Sequence, residues 1–221
     1  MFNEEEYVRR AVAAASDAAR RVSDDYQIVV VDDASSDATG RIADELAAAD
    51  PHLTVVHNER NRRLGGTLRA GYAAATKELI LYSDADLPFD MRELERAVRL
   101  LECQQADVLS AYRFDRRVEG FVRTAYSLGY NFVIRVAFGL RVKDVNFCFK
   151  LFRRSLLERI ALRSEGSFID AEFLIRARNA GATLIQIGVD YFPRTRGVST
   201  LASPGVIVGI LKEMVRLRRE L

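Results

Sequence analysis

The chain has no tryptophan, two cysteines, two histidines and four prolines among 221 residues. Cys103 and Cys148 share no metal-ligand spacing, and so few histidines argue against a zinc centre. Two cysteines build no disulfide framework, so the reducing cytosol is the expected compartment. Charge of one sign is lacking too. Lysine and arginine number 33 against 31 acids, a net +2, which gives no basis for general polyanion binding and therefore none for a nucleic-acid partner. No apolar run reaches the roughly 20 residues that span a bilayer, and no signal peptide precedes the first helix, so the expectation is a soluble or peripheral chain. The first strand is not followed by G-x-G-x-x-G, which weighs against a dinucleotide-dependent dehydrogenase.

About half of the chain is apolar (49%), enough for one domain with a sizeable core. Strand and helix patterns alternate along it. "EEEYVRRAVAAASDAARRV" reads as a helix opened by a capping box, Asn3 with Glu6 three positions on. "YQIVVV" reads as a strand buried on both faces, then "SDATGRIADELAAA" as a helix and "LTVVH" as a strand. "GGTLRAGYAAAT", "LILYS", "MRELERAVRLLEC" and "DVLSAY" continue the order helix, strand, helix, strand. This alternation predicts an α/β fold, a mostly parallel central sheet with helices on both faces, whose ligands sit at the carboxyl ends of the strands.

Those strand ends carry the polar residues. Asp32, Asp33, Ser35, Ser36 and Asp37 follow the first strand; Asn58, Asn61, Arg60, Arg62 and Arg63 follow the second. After the third, "YSDADLPFD" crowds Asp84, Asp86 and Asp90 together. Like charges this close raise one another's pKa unless a cation or donors offset them. Asp37 and Asp90 can equally be helix caps. Asp84 and Asp86 flank a small residue at a buried strand's end, where both can approach one divalent ion, Mg²⁺ or Mn²⁺ by all-oxygen ligation.

Taken together, "FNEEEYV", "VVVDDASSDAT", "NRRLGGTLRAGY", "YSDADLPFD", "VKDVNFCFKLFRR" and "PRTRGVST" resemble glycosyltransferase family 2, in particular its polyprenyl-phosphate (dolichol-phosphate) mannosyl- and glucosyltransferase branch. The resemblance implies a GT-A fold, a nucleotide-sugar donor of GDP-mannose or UDP-glucose type, a divalent metal, and inversion at the anomeric carbon. Asn3, Glu4, Asp32 and Asp33 match the segments that hold base and ribose. Asp84 and Asp86 match the DxD signature, with Asp86 the direct metal ligand. Gly65 and Gly66 match a glycine turn whose backbone N–H groups face phosphate or sugar. Family members usually carry an apolar strand before the segment matching "FNEEE", so a truncated chain or a misassigned start is expected. Cys148 stands where relatives commonly have glycine, adding bulk near the acceptor side.

The later half reads as acceptor machinery. Arg113, Arg116, Arg117 and Arg123 follow a strand end, and Arg194, Arg196 and Ser199 surround Gly197; arginine forks bind phosphate bidentately. A lipid-phosphate nucleophile is already anionic and needs positioning, with Arg117 central, rather than a base. A sugar-hydroxyl nucleophile needs a carboxylate, with Asp144, Asp170 or Glu172 as candidates. The expected division is a catalytic domain over 1–203, with a donor half (1–111) and an acceptor half (112–203), and a basic amphipathic helix over 204–221. That helix puts Ile207, Ile210, Leu211, Met214, Leu217 and Leu221 on one side and Lys212, Arg216 and Arg219 on another, suited to its own domain or to transient contact with an anionic membrane on the cytoplasmic face. A phosphatase using Asp-x-Asp is disfavoured because its nucleophile normally lies near the chain start. A silent nucleotide-sugar-binding protein would have lost metal or acceptor groups that are present here.

Overall fold

The structure, a computed structural model, describes residues 1–115, 121–192 and 204–221, without the side chains of residues 121–123, 204 and 207. In chain order the elements are α1 (Val8–Arg20), β1 (Ile28–Asp32), α2 (Thr39–Ala49), β2 (Leu53–His57), α3 (Arg63–Ala74), β3 (Leu79–Tyr82), α4 (Glu93–Cys103), β4 (Val108–Arg113), α5 (Phe121–Phe138), β5 (Lys150–Arg153), α6 (Ile169–Asn179), β6 (Leu184–Val189) and α7 (Pro204–Leu217).

Two sheets form where one was expected. β1 and β2 pair in parallel, with Ile28 opposite Leu53 and Asp32 opposite His57. The other sheet has the order β3-β5-β4-β6: β5 runs antiparallel between β3 and β4, and β6 is parallel to β4. Strand alternation sorts its core. Leu109, Ala111 and Leu151 face Ala97 and Leu101 of α4, whereas Val108 and Phe152 face Ile134 of α5, Phe173 and Leu174 of α6, and Ile210 and Leu217 of α7. A smaller core joins α1 and α2 to the first sheet through Val8, Val12, Val30, Ile42 and Leu53.

Between the sheets lies a cleft of about 1680 Å³, lined on one side by Val29 and Val31 of β1 and on the other by Leu79 and Leu81 of β3. Met1 sits at one end of it, bonded to β1 as a parallel strand would be. Its amino group donates to the Val31 carbonyl, and the Asp33 N–H donates back to the Met1 carbonyl at 2.8 Å.

Two expectations are corrected at the helices. α1 starts at Val8 without the capping box, because the Asn3 side-chain oxygen instead accepts the Ser36 N–H at 2.8 Å, across to the β1–α2 loop. α7 packs on its own domain through Ile210, Met214 and Leu217, and Leu211, grouped with that side by its spacing, is exposed. No described helix is long and apolar enough to cross a membrane.

Candidate active site

Asn3, Glu4, Asp33, Asp84 and Asp86 line the same cleft, although they come from three separate stretches of chain. The first stretch is fastened to the β1–α2 loop: the Asn3 N–H donates to Ser35 Oγ at 3.0 Å, and the Glu4 N–H to Thr39 Oγ1 at 2.8 Å. Asn3 takes a left-handed backbone (φ 54°), a conformation asparagine tolerates better than most residues. Asp33 is buried; its Oδ1 accepts Asn58 Nδ2 at 2.7 Å and the Arg62 N–H at 2.8 Å, which aligns the start of α3 with the cleft.

Asp32 does not line the cleft. Its carboxylate accepts the Ser35 N–H at 3.1 Å and meets His57 Nδ1 at 3.1 Å, while His57 Nε2 meets Asp44 at 2.9 Å. Burial opposes ionisation of Asp32, but the hydrogen bonds from Ser35 and His57 outweigh it and hold the carboxyl below its ordinary value. Asp37 accepts the Thr39 N–H at 2.9 Å and Asp90 the Arg92 N–H at 2.9 Å, each a local turn bond to the backbone two residues on, just ahead of α2 and α4, whose N-cap positions are Ala38 and Arg92.

At the end of β3 the chain turns sharply, with the Leu87 N–H reaching the Asp84 carbonyl at 3.4 Å and Leu87 at φ 51°. A left-handed leucine is strained, so the turn carrying Asp84 and Asp86 is held by its surroundings rather than by preference. Burial, then the charge of Asp86, push the Asp84 carboxyl up to about 6; a hydrogen bond from the Tyr82 hydroxyl at 3.0 Å works the other way. Asp84 and Asp86 together offer oxygen ligands on the cleft wall. Among the described residues no group of three or more His, Cys, Asp or Glu is assembled for a metal, so an ion here takes its other ligands from elsewhere. Cys148 lies beside Asp84: burial, then the Asp84 charge, raise its thiol.

Behind this edge the sheet carries buried ion pairs. Arg113 and Asp144, expected as acceptor ligand and base, hold each other instead, with Nε and Nη2 on the two carboxylate oxygens at 2.7 and 2.9 Å. The guanidinium also lies 5.7 and 5.5 Å from the Phe147 and Tyr191 ring centroids. Lys150 Nζ donates to Asp170 at 2.6 Å and to the Phe147 carbonyl at 2.7 Å. Glu172 accepts the Arg163 and Ser164 N–H groups, the latter at 2.7 Å, and Arg176 Nε at 2.8 Å. Neither Asp144, Asp170 nor Glu172 lines the cleft. Lys150 and Tyr82 had no role in the sequence reading, although a lone lysine within the apolar "NFCFKLF" already calls for a buried partner.

Gly65 and Gly66 also act differently from expectation. Their N–H groups point at the Glu165 carbonyl, at 2.9 and 3.4 Å, and not into the cleft, because the first turn of α3 packs directly against the 163–166 loop. Arg116, Arg117, Arg194, Arg196 and Ser199, and the side chain of Arg123, lie outside the described residues.

Residues 1–161 match the sequence profile of Glycosyl transferase family 2. The chain belongs to that family. This family-2 chain is therefore a glycosyltransferase, as expected. It is 31% identical over 177 residues to glycosyltransferase AglD of Haloferax volcanii, a match covering 78% of this chain and 28% of that protein. The chain thus spans little more than a quarter of that relative. It is 28% identical to polyprenol monophosphomannose synthase of Mycolicibacterium smegmatis, covering 96% of this chain and 82% of the relative. Among solved structures, a Pyrobaculum calidifontis mannosyltransferase in complex with GDP-Man and Mn²⁺ superposes with a TM-score of 0.63 at 22% identity, over 98% of this chain and 62% of that one. That likeness establishes the expected GT-A fold.

Proposed function

We propose that this glycosyltransferase moves a hexose from a nucleoside-diphosphate sugar to the phosphate of a polyprenyl phosphate. One observation carries the choice of acceptor: the three carboxylates that the sequence singles out as a base for a hydroxyl nucleophile are each ion-paired and off the cleft lining, Asp144 with Arg113, Asp170 with Lys150, and Glu172 with Arg176, Glu172 also accepting backbone amides. An anionic phosphate oxygen needs no proton removed, so the engagement of those three carboxylates is no obstacle to it. The relatives named for polyprenol monophosphomannose and for mannosyl transfer support the same reading and make mannose the first sugar to test.

In this reading Asn3, Glu4 and Asp33 accept hydrogen bonds from base and ribose donors at the mouth of the cleft. Asp84 and Asp86 would hold Mg²⁺ or Mn²⁺ through their carboxylate oxygens. The ion would supply charge stabilisation for the departing nucleoside diphosphate. Tyr82 fixes one oxygen of Asp84 and so orients that carboxylate. Arg117, Arg123, Arg194, Arg196 and Ser199 are proposed to position the acceptor phosphate. Its oxygen attacks the anomeric carbon from the face opposite the diphosphate, the new C–O bond forming as the old one breaks. The lipid acceptor implies work at a membrane surface, on the cytoplasmic face.

The test is transfer from GDP-mannose and UDP-glucose to a short-chain polyprenyl phosphate, with Asp86→Ala as comparison. Wild-type protein should form the sugar-phospholipid in the presence of Mn²⁺, and Asp86→Ala should lose transfer with its circular dichroism unchanged. Transfer to a sugar hydroxyl with the lipid phosphate inert would reject the proposal and make Asp144 the base to examine.

A further inference from the structure

Among its described side chains, α5 packs on the domain through one face. Ile134 is buried, Tyr130 and Phe138 pack beside it, and Asn131 clamps the following segment through the Lys143 carbonyl at 3.0 Å and the Val145 N–H at 3.1 Å. The opposite face carries Leu128, Phe132 and Val136, spaced by four and 55%, 66% and 70% exposed, with Tyr126 and Val133 also exposed beside them. Residues at i, i+4 and i+8 form one stripe along a helix. Large apolar side chains lined up this way in water mark a surface that meets something.

Charge indicates what it meets. Residues 121–143 contain four cations, Arg123, Arg135, Arg141 and Lys143, and no acid. A protein partner could have either sign, but an apolar stripe within a purely cationic stretch matches the anionic headgroups and shallow hydrocarbon of a bilayer surface. α7, the basic helix picked out by spacing, also exposes Val208, Leu211 and Val215, but it is less suited: its other apolar side chains, Ile210, Met214 and Leu217, are in the core, and the acids Glu213 and Glu220 stand among its cations, Glu213 accepting the Glu165 and Gly166 N–H groups at 2.9 and 3.1 Å. The position also fits, since α5 follows β4 after only the 114–120 segment, and β4 ends at Arg113 behind the site.

We infer that the outer face of α5 is the membrane-docking surface of this chain, lying in the headgroup region of an anionic leaflet. The inference rests on the lipid-acceptor reading for its purpose, and its test is separable from that reading. The full chain is sedimented with phosphatidylcholine vesicles containing about a third phosphatidylglycerol and no polyprenyl phosphate. Binding is expected, weakening with salt, and Phe132→Glu with Val136→Glu should lower vesicle partition at least about tenfold. Lys212→Glu with Arg216→Glu on α7 should leave partition within about twofold. Transfer to a soluble short-chain polyprenyl phosphate should be unchanged in the α5 variant; if neither protein performs it, the acceptor reading fails while the vesicle result still decides docking. Equal partition of wild type and α5 variant, or loss only on changing α7, overturns the inference. So does an α5-dependent dimer in sedimentation velocity without vesicle binding, which would make a second copy the occupant.

Discussion

Ionising Asp84 in the folded chain works against the fold, since its carboxyl is pushed from 3.8 up to about 6 by burial and by Asp86. A carboxyl raised on folding contributes stability that is complete below its unfolded value and is lost as pH rises through its folded value. At pH 8 the charged group therefore lowers stability, by about 1–3 kcal/mol for a shift of this size partly screened by water. Asp84→Asn should consequently raise the melting temperature of chelator-treated protein at pH 8 by a few degrees and change it little at pH 4. The same variant should lose Mn²⁺ binding, measured by calorimetry with a nucleoside diphosphate present. An unchanged or lower melting temperature at pH 8 would show that the Tyr82 hydrogen bond already offsets the repulsion. The left-handed Leu87 and the crowding of Asp84 by Asp86 fall in the same turn of the cleft wall.

Gly65 on α3 allows the helix to touch the 163–166 loop. Elsewhere in a helix, glycine to alanine gains up to about 1 kcal/mol of propensity. Here a Cβ would stand 2.3 Å from the Ser164 carbonyl oxygen and 2.8 Å from the Glu165 carbonyl carbon. The loop has little room to retreat, because Glu172 holds its Arg163 and Ser164 amides and Glu213 holds those of Glu165 and Gly166. Gly65→Ala should therefore destabilise by roughly 2 kcal/mol or more, read as a lower denaturant midpoint; a higher midpoint would mean the loop yields. Such contacts explain what the sequence revealed of each element. β2 is legible residue for residue in "LTVVH", since four apolar or β-prone positions in a row between turns leave one reading. β5 was not anticipated: "KLFR" is too short to show a period, and its antiparallel place between β3 and β4 depends on partners 40 to 74 residues away. At the site, spacing sufficed to join Asp84 to Asp86, but the pairing of Asp144 with Arg113 and of Asp170 with Lys150 depends on how the segment before β5 and the start of α6 pack against β4 and β5, which local pattern does not encode.

Across the whole molecule, the facing edges of β1 and β3 and the parallel bonding of Met1 to β1 define room for one further strand. With Met1 opposite Asp32, four residues ahead of Met1 would reach the level of Ile28. Appending about six apolar, β-prone residues there should raise the melting temperature by several degrees, whereas a Gly/Ser segment of equal length should not. Equal melting of the two versions would show that the slot accepts no strand. Because Asn3 and Glu4 follow Met1 immediately and line the same cleft, the backbone that anchors such a strand is the backbone that would grip the donor. The two events are then thermodynamically linked: whatever factor strand insertion adds to donor affinity, donor must add to the affinity of the slot for its strand.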